Sequence, residues 1–278
     1  MASGSRPECA AELRLKKAHT PLAYLTMRVC AVSLLVSFLL IEIGWSQVTE
    51  VPSAQSATLP MYRPILMGKG SDSLINRIDS EDLMKKGQKQ GIALFICAVL
   101  KTGEVEWSQV FGGSPASILL KQELQKRLSP ASNPTFIPAV YNHQTVDAIY
   151  YGTVTFAVIN DRPRLRIYSN VQPAAVANED DFVDPQPFFG EGSKFKGFHY
   201  PDQTARVQVD GAVRLKIKID AEGNVQNIQA VSEEPPLEGF AAAAVGDFQN
   251  AKFIPAFHNG LPVACEVTLP VLYRAKTF

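Results

Sequence analysis

Residues 136–142 have the sequence FIPAVYN and residues 253–259 have the sequence FIPAFHN, so the phrase FIPAxxN occurs twice, 117 residues apart. Upstream of the phrase, further residues match at a constant offset of 120: Asp82 and Asp202, Gln88 and Gln208, Gly91 and Gly211, Gly103 and Gly223, and Val105 and Val225. The sequence therefore predicts a tandem repeat. Because a solenoid has shorter and more numerous units, a repeat of this length indicates two similar small domains.

Composition and charge limit the classes of protein to consider. The chain has 278 residues, of which 27 are basic, 27 are acidic and 46% are hydrophobic, enough for two packed domains and a leader. Since the charges cancel, no nucleic-acid-binding surface is predicted. The four cysteines, Cys9, Cys30, Cys97 and Cys265, form no CxxC motif or zinc spacing, so we expect buried thiols rather than a disulfide or a metal site.

An apolar segment near the N-terminus predicts export. Residues 29–41, VCAVSLLVSFLLI, follow Arg28 and end at Glu42. These 13 residues have the length of a signal-peptide core, whereas a membrane-spanning helix needs about 20.

The boundary after this segment suggests where a leader is removed. Gly44 and Ser46 provide small side chains for signal cleavage, which predicts a mature protein that starts at Gln47, and Met27 is an alternative initiator. The second interpretation is an uncleaved anchor over residues 29–45, which makes the protein a single-pass protein of the inner membrane. Both interpretations place residues 47–278 outside the cytoplasm, in the periplasm or cell envelope.

The second half has the pattern of a sheet covered by a helix. Residues 213–219 alternate apolar and cationic side chains, which predicts a half-buried strand, and the turn at 220–224 leads into an antiparallel strand at 225–231. Pro235-Pro236 is expected to open a helix, and a third strand follows at 263–273. The apolar stripe of that helix consists of Leu237, Phe240, Ala241, Ala244, Val245 and Phe248.

The first half repeats this plan. Its predicted strands are 92–100, 105–111 and 147–159, and its helix is opened by Ser114-Pro115. A fourth strand at 165–168 is expected to pair with an edge that the second half leaves open. The predicted fold is therefore α+β, with two tandem β-β-α-β domains, each an antiparallel sheet of three or four strands covered by one helix.

Several spaced residues of the second half resemble one known family. They are Tyr200-Pro201, Gly211-Ala212-Val213, Ile219-Asp220-x-x-Gly223, Phe253-x-Pro255, Asn259-Gly260 and Leu269-Pro270-Val271. This set is similar to the TonB C-terminal domain over residues 200–273. Residues 80–158 resemble the same domain as a diverged copy, with Ser80-Glu81 in place of Tyr-Pro and Asn142-His143 in place of Asn-Gly.

The resemblance implies capture of an outer-membrane receptor peptide as an added strand. A TonB energy transducer also has a membrane helix that engages a proton-driven motor and a proline-rich rod. The leader has no histidine within its apolar run, and residues 47–79 have no Glu-Pro or Lys-Pro repeats. We therefore expect a non-enzymatic periplasmic protein that binds a partner peptide or protein; the alternatives are an anchored energy transducer and a structural or assembly protein, and a dimer stays open.

The resemblance also selects candidate site residues. Tyr200 and Pro201 are expected to fix the path by which the chain enters the domain. An exposed edge strand offers unpaired backbone groups to an added strand. The residues predicted to bind the partner are Cys265, Glu266, Val267, Thr268, Leu269, Val271 and Tyr273.

The residues give no sign of an enzyme. The histidines, His19, His143, His199 and His258, have no carboxylate or thiol at catalytic or ligand spacing in the sequence. Asp180, Asp181 and Asp184 are interpreted as a solvated acidic run. No catalytic residue, cofactor or metal is predicted.

The sequence thus predicts five segments. They are a leader at 1–46, a linker at 47–79, a diverged TonB-like domain at 80–170, an acidic, Pro/Gly-rich linker at 171–196, and a TonB C-terminal domain at 197–278.

Overall fold

A computed structural model of the protein describes residues 58–275 except 133–134, 203, 205 and 207. The predicted leader, its cleavage before Gln47 and the alternative start at Met27 lie outside the described residues. Within the described part, no helix is long and apolar enough to cross a membrane.

The first described elements are short. They are β1 (Tyr62–Arg63), β2 (Leu66–Met67), α1 (Leu74–Arg77) and α2 (Ser80–Lys85). β1 pairs with residues 140–141 and β2 with residues 136–137, and Ile65, Leu74 and Ile78 are buried in the core of the first half. The prediction of a linker is therefore wrong for residues 58–79, because their apolar side chains complete that core.

The first half contains a four-stranded antiparallel sheet. Its further elements are β3 (Gln90–Val99), β4 (Val105–Phe111), α3 (Ile118–Leu128), β5 (Phe136–Ile137), β6 (Ala139–Tyr141), β7 (Gln144–Val146), β8 (Ala148–Ile159) and β9 (Arg162–Tyr168). The order is β4-β3-β8-β9, so the predicted fourth strand is present and pairs with β8. α3 covers the sheet with Leu120, Leu124 and Leu128. It begins at Ile118 because Pro115–Ser117 form a 3-10 turn.

The connection between the halves contains α4 (Pro173–Ala177) and β10 (Gln186–Pro187). β10 pairs with residues 253–254 of the second half, and Phe188 and Phe195 are fully buried. The prediction of an acidic, Pro/Gly-rich linker at 171–196 is therefore wrong for much of this segment, since Phe188 and Phe195 belong to the two cores.

The second half contains a three-stranded antiparallel sheet in the order β12-β11-β16. Its elements are β11 (Gly211–Ile219), β12 (Val225–Glu234), α5 (Phe240–Gln249), β13 (Phe253–Ile254), β14 (Ala256–His258), β15 (Leu261–Val263) and β16 (Cys265–Tyr273). α5 buries Phe240, Ala244 and Phe248. It begins later than Pro235 because β12 continues to Glu234, and Leu237 is 94% exposed with a φ of 66°. The α+β class and the antiparallel sheets are as predicted.

The repeated phrase has the same role in both halves. The Phe136 N–H donates to the Gly103 carbonyl at 2.8 Å, and the Phe253 N–H donates to the Gly223 carbonyl at 3.0 Å. Both glycines have positive φ, 89° and 81°, and a Cβ on either would overlap the carbonyl oxygen of the phenylalanine. The phrase therefore anchors the chain after the helix to the hairpin before it.

We expect Gly223→Ala to lower the free energy of unfolding by about 3 kcal/mol, because it adds both an unfavourable φ and a backbone overlap. Gly260→Ala is the matched control, since Gly260 has a φ of 73° with no heavy atom within 4 Å of its added Cβ. It should cost about 1 kcal/mol. Urea denaturation of both variants measures the difference, and equal losses would contradict the overlap.

A second hydrophobic core joins the two halves. Ile96, Ala98, Ile149 and Tyr151 lie on the face of the first sheet opposite α3, and they are buried in one cluster with the residues beneath α5. The described part of the chain after residue 57 forms one compact unit. The outer face of the first sheet therefore packs on the core of the second half.

Candidate functional site

β16 is an edge strand of the second sheet. It pairs with β11 along its whole length, from Cys265 opposite Ile219 to Tyr273 opposite Gly211. In the first sheet, β8 has β3 on one side and β9 on the other. Among the described residues, no strand pairs with the other side of β16, so this edge differs from its counterpart in the first half.

Thr268 shows which backbone groups of β16 face the open side. Its N–H and C=O both contact the side-chain amide of Gln172, so they point away from β11. In an antiparallel pair, the backbone groups of successive residues point alternately toward the partner strand and away from it. The residues whose backbone groups point away from β11, called outward residues, are therefore Glu266, Thr268, Pro270 and Leu272. The odd-numbered residues make the ladder to β11.

The predicted partner-binding residues thus divide into two groups. Val267, Leu269, Val271 and Tyr273 have side chains buried in the second core and backbone groups directed at β11, as does the half-buried Cys265. Glu266 is exposed and forms an ion pair with Lys216 at 2.7 Å. Only Glu266 and Thr268 of the predicted set present backbone groups to the open edge.

Two outward residues, Pro270 and Leu272, were not among the predicted set. The signal that identifies them is Pro270 itself. A proline has no N–H to donate, so within an edge strand it must face the free side, and the residues two positions away face that side with it. Pro270 also removes one donor from the edge, which limits indiscriminate pairing with other strands.

The edge is occupied at Thr268 by a side chain of the same protein. Gln172 Nε2 donates to the Thr268 carbonyl at 3.3 Å, and Gln172 Oε1 accepts from the Thr268 N–H at 3.4 Å. The same Nε2 lies 3.2 and 3.3 Å from the two carboxylate oxygens of Asp184. We call this arrangement of Asp184, Gln172 and Thr268 the Gln172 bridge.

Asp184 is a buried carboxyl rather than part of a solvated run, so that interpretation is wrong for this residue. It is 1% exposed, and it accepts the Val171 N–H at 2.8 Å. Burial raises its pKa to about 7, against the lowering effects of the hydrogen bonds from Val171 and Gln172.

A cleft of about 1100 Å³ lies at the C-terminal end of β16. One wall comes from the first sheet, with Trp107, Gln109 and Ile149, and the strand itself contributes Leu272. Phe198 from the chain before the second sheet also lines it. A peptide that lies beside β16 and continues past its C-terminal end would enter this cleft, which both halves line.

The Tyr200-Pro201 motif lies beside the second core. The Tyr200 hydroxyl donates to the Val209 carbonyl at 2.5 Å, and its ring packs edge-on against Phe240 with centroids 5.4 Å apart. Both motif residues also line the cleft. These contacts tie Tyr200 to the second core, and the role of the motif in fixing the path of the chain into the domain stays a prediction.

Two histidines that appear isolated in the sequence lie beside carboxylates in the structure. His258 Nε2 is 3.1 Å from Asp180 and 3.6 Å from Asp181, and the ligand-type atoms of these three residues lie within 4.8 Å of one another. The histidine and both aspartates are exposed, and exposed acidic groups of this kind are common without a bound ion, so the cluster carries no metal assignment. His199 Nδ1 is 2.5 Å from Asp247.

A comparison with protein families identifies the second half. The family model described as Gram-negative bacterial TonB protein C-terminal matches residues 196–275 and leaves the first half outside the match. A search of curated proteins finds no match. The family is non-enzymatic, transport-related and belongs to the cell envelope, and its members interact with proteins such as outer-membrane receptors. Residues 196–275 of this chain are a TonB C-terminal domain.

Proposed function

We propose that this protein is a non-enzymatic periplasmic TonB-like protein that binds an extended segment of a partner protein by β-strand addition to β16. The observation that carries the proposal is the edge of β16 with which no strand of the described residues pairs, and at which Glu266, Thr268 and Leu272 present backbone groups. A strand laid beside this edge gains a ladder of backbone hydrogen bonds, while side chains on alternate positions select the partner.

The difference between the two halves supports an assignment of roles. In the first half β9 covers the edge of β8, whereas no described strand covers β16. The two halves also share the order of their elements and the glycine contact of the FIPAxxN phrase. We infer that the first half, residues 80–170, is a diverged copy that no longer captures a strand at this edge.

The family match at residues 196–275 supports the choice of partner class. We propose a periplasmic segment of an outer-membrane receptor as the partner, with export by a signal peptide over residues 29–41 that is cleaved before Gln47. The alternatives are an inner-membrane energy transducer anchored by the uncleaved leader, and an assembly protein whose copies pair with each other. N-terminal sequencing of envelope protein separates a cleaved leader from an anchor.

A backbone substitution at the open edge tests strand addition. Thr268→Pro removes the central outward donor and leaves the ladder to β11 intact, whereas Val267→Pro would break that ladder. Thr268→Ala is the matched control, because it changes the side chain alone. With a photo-cross-linking residue at exposed position 266 in the exported full chain, we expect the proline to lower the yield of partner adducts at least about tenfold and the alanine to change it little.

A second cross-linking position shows whether the partner binds at β16 or at the other edge of the same sheet. β12 is also an edge strand, and its Val231 is 53% exposed. A cross-linking residue at position 231 therefore probes that edge. Adducts that form from position 231 and not from 266, or adducts at 266 that persist in a folded Thr268→Pro protein, would refute the assignment to β16. Circular dichroism of each variant establishes that it is folded.

A further inference from the structure

We propose that Gln172 is an internal occupant of the β16 edge, and that a partner strand must displace it to bind. This inference rests on the proposed function of the edge. The Gln172 side chain ends in an amide, the same group that links the residues of a peptide strand, and it meets both the N–H and the C=O of Thr268. It therefore stands where one peptide group of a partner would lie.

The position of Gln172 is set by the segment that carries it. Thr153 Oγ1 donates to the Asn170 carbonyl at 2.7 Å, and the Asn170 side chain donates to the Phe182 carbonyl at 2.7 Å. The Asp184 N–H donates to the Ser169 carbonyl at 2.9 Å, which closes the loop on itself. Gln172 is thus held against β16 by the first half of the protein.

Asp184 fixes the orientation of the Gln172 amide. Both carboxyl oxygens of Asp184 accept from Gln172 Nε2, at 3.2 and 3.3 Å, so the NH2 group of Gln172 faces Asp184. Its oxygen then faces the Thr268 N–H, as the edge requires. In an Asp184→Asn variant, the new side chain would offer an NH2 group to Gln172 while its oxygen keeps the Val171 N–H. The Gln172 amide would then have to turn, and the Thr268 N–H would lose its acceptor.

The contacts of Gln172 with β16 are weak enough to be exchanged. Their lengths of 3.3 and 3.4 Å exceed the usual length of about 2.9 Å for an amide hydrogen bond. A partner strand replaces them with contacts of ordinary length and adds others at Glu266 and Leu272. Binding therefore replaces the two contacts of the Gln172 amide by a ladder of backbone hydrogen bonds along β16, and it releases Gln172 from Thr268.

Amide hydrogen exchange tests the internal occupant without a partner. In the purified full chain, Gln172→Ala should speed exchange of the Thr268 amide by about tenfold, the factor expected for the loss of one hydrogen bond. Val267, whose N–H is in the ladder to β11, should keep its rate and so report that the sheet is folded. Gln125→Ala is the matched control, because Gln125 Oε1 accepts from Val110 at the edge of the first sheet and should leave Thr268 unchanged.

Asp184→Asn provides a second variant that does not remove the glutamine. We expect it also to speed exchange of the Thr268 amide, and urea denaturation of the same variant shows whether the whole protein unfolds more easily. Faster local exchange in a protein that does not unfold more easily cannot come from general destabilisation. An unchanged Thr268 rate in folded Gln172→Ala would overturn the proposal.

Cross-linking from position 266 tests the competition with a partner. We expect Gln172→Ala to raise the yield of adducts several-fold, because the edge of β16 is then free of its internal occupant for a larger fraction of the time. Adducts that form equally in the wild type and in Gln172→Ala, or that decrease in the variant, would overturn the competition and leave strand addition standing. Adducts absent from both proteins would overturn the proposed function itself and the competition with it.

Discussion

Phe240→Ala should lower the free energy of unfolding of the full chain by about 4 kcal/mol, the cost of removing a buried aromatic ring from a core. Phe240 is fully buried at the start of α5. Its ring stacks on Tyr273 of β16 at 5.0 Å and meets Tyr200 edge-on at 5.4 Å. Truncation therefore leaves a cavity between the helix and the strand that we propose as the binding edge.

Leu237→Ala is the control for this prediction. Leu237 lies three residues before Phe240 and is 94% exposed, so its truncation should change the free energy of unfolding by less than about 0.5 kcal/mol. Chemical denaturation followed by circular dichroism measures both variants. A loss below about 1 kcal/mol for Phe240→Ala would contradict the packing of α5 on the sheet.

Asp184→Asn should stabilise the protein increasingly as the pH rises. Burial raises the pKa of Asp184 to about 7, above the ordinary value of 3.8. A carboxyl whose pKa is raised by folding stabilises the protein at pH values below the pKa that this carboxyl has in the unfolded chain. The stabilisation is lost as the pH rises to the pKa that the carboxyl has in the folded protein. We compare the free energy of unfolding of the variant with that of the wild type. The difference should be about 4 kcal/mol more in favour of the variant at about pH 8 than at about pH 4.

The titratable neighbours of Asp184 do not contribute to the expected change in stability between pH 4 and 8. Burial, which dominates, and the Asp184 charge raise the pKa of Cys265 to about 12, and those of Tyr150 and Tyr151 are raised by burial as well, so these groups do not titrate between pH 4 and 8. Urea denaturation of both proteins at several pH values measures the effect. A difference in unfolding free energy that stays constant with pH would contradict a buried carboxyl at this position.

The two sheets were predictable because their patterns are local. The alternation at 213–219 and the repeated phrase predict the strands and the order of elements in both halves. The start of α5 was not predictable in the same way, since Pro235-Pro236 is typical of a helix start, but β12 continues to Glu234. Residues 58–79 have apolar side chains without a period, and only contact with distant strands shows that they are buried.

The binding edge was only partly predictable. The resemblance to a known family selected β16, but the direction of each backbone group depends on the register with β11. Pro270 carries that information in the sequence. The Gln172 bridge carries no such signal, because Gln172 and Thr268 are 96 residues apart and meet through one side chain.

The shared core also bears on how this protein can evolve. Under the proposed duplication, two copies would at first be interchangeable modules, each free to be lost or moved to another gene. Once Ile96, Ala98, Ile149 and Tyr151 were buried with the second copy, deletion of either half would leave an apolar face in water. The halves are therefore expected to be inherited and selected as one piece, and a gene fusion that transfers the capturing domain should carry the first half with it.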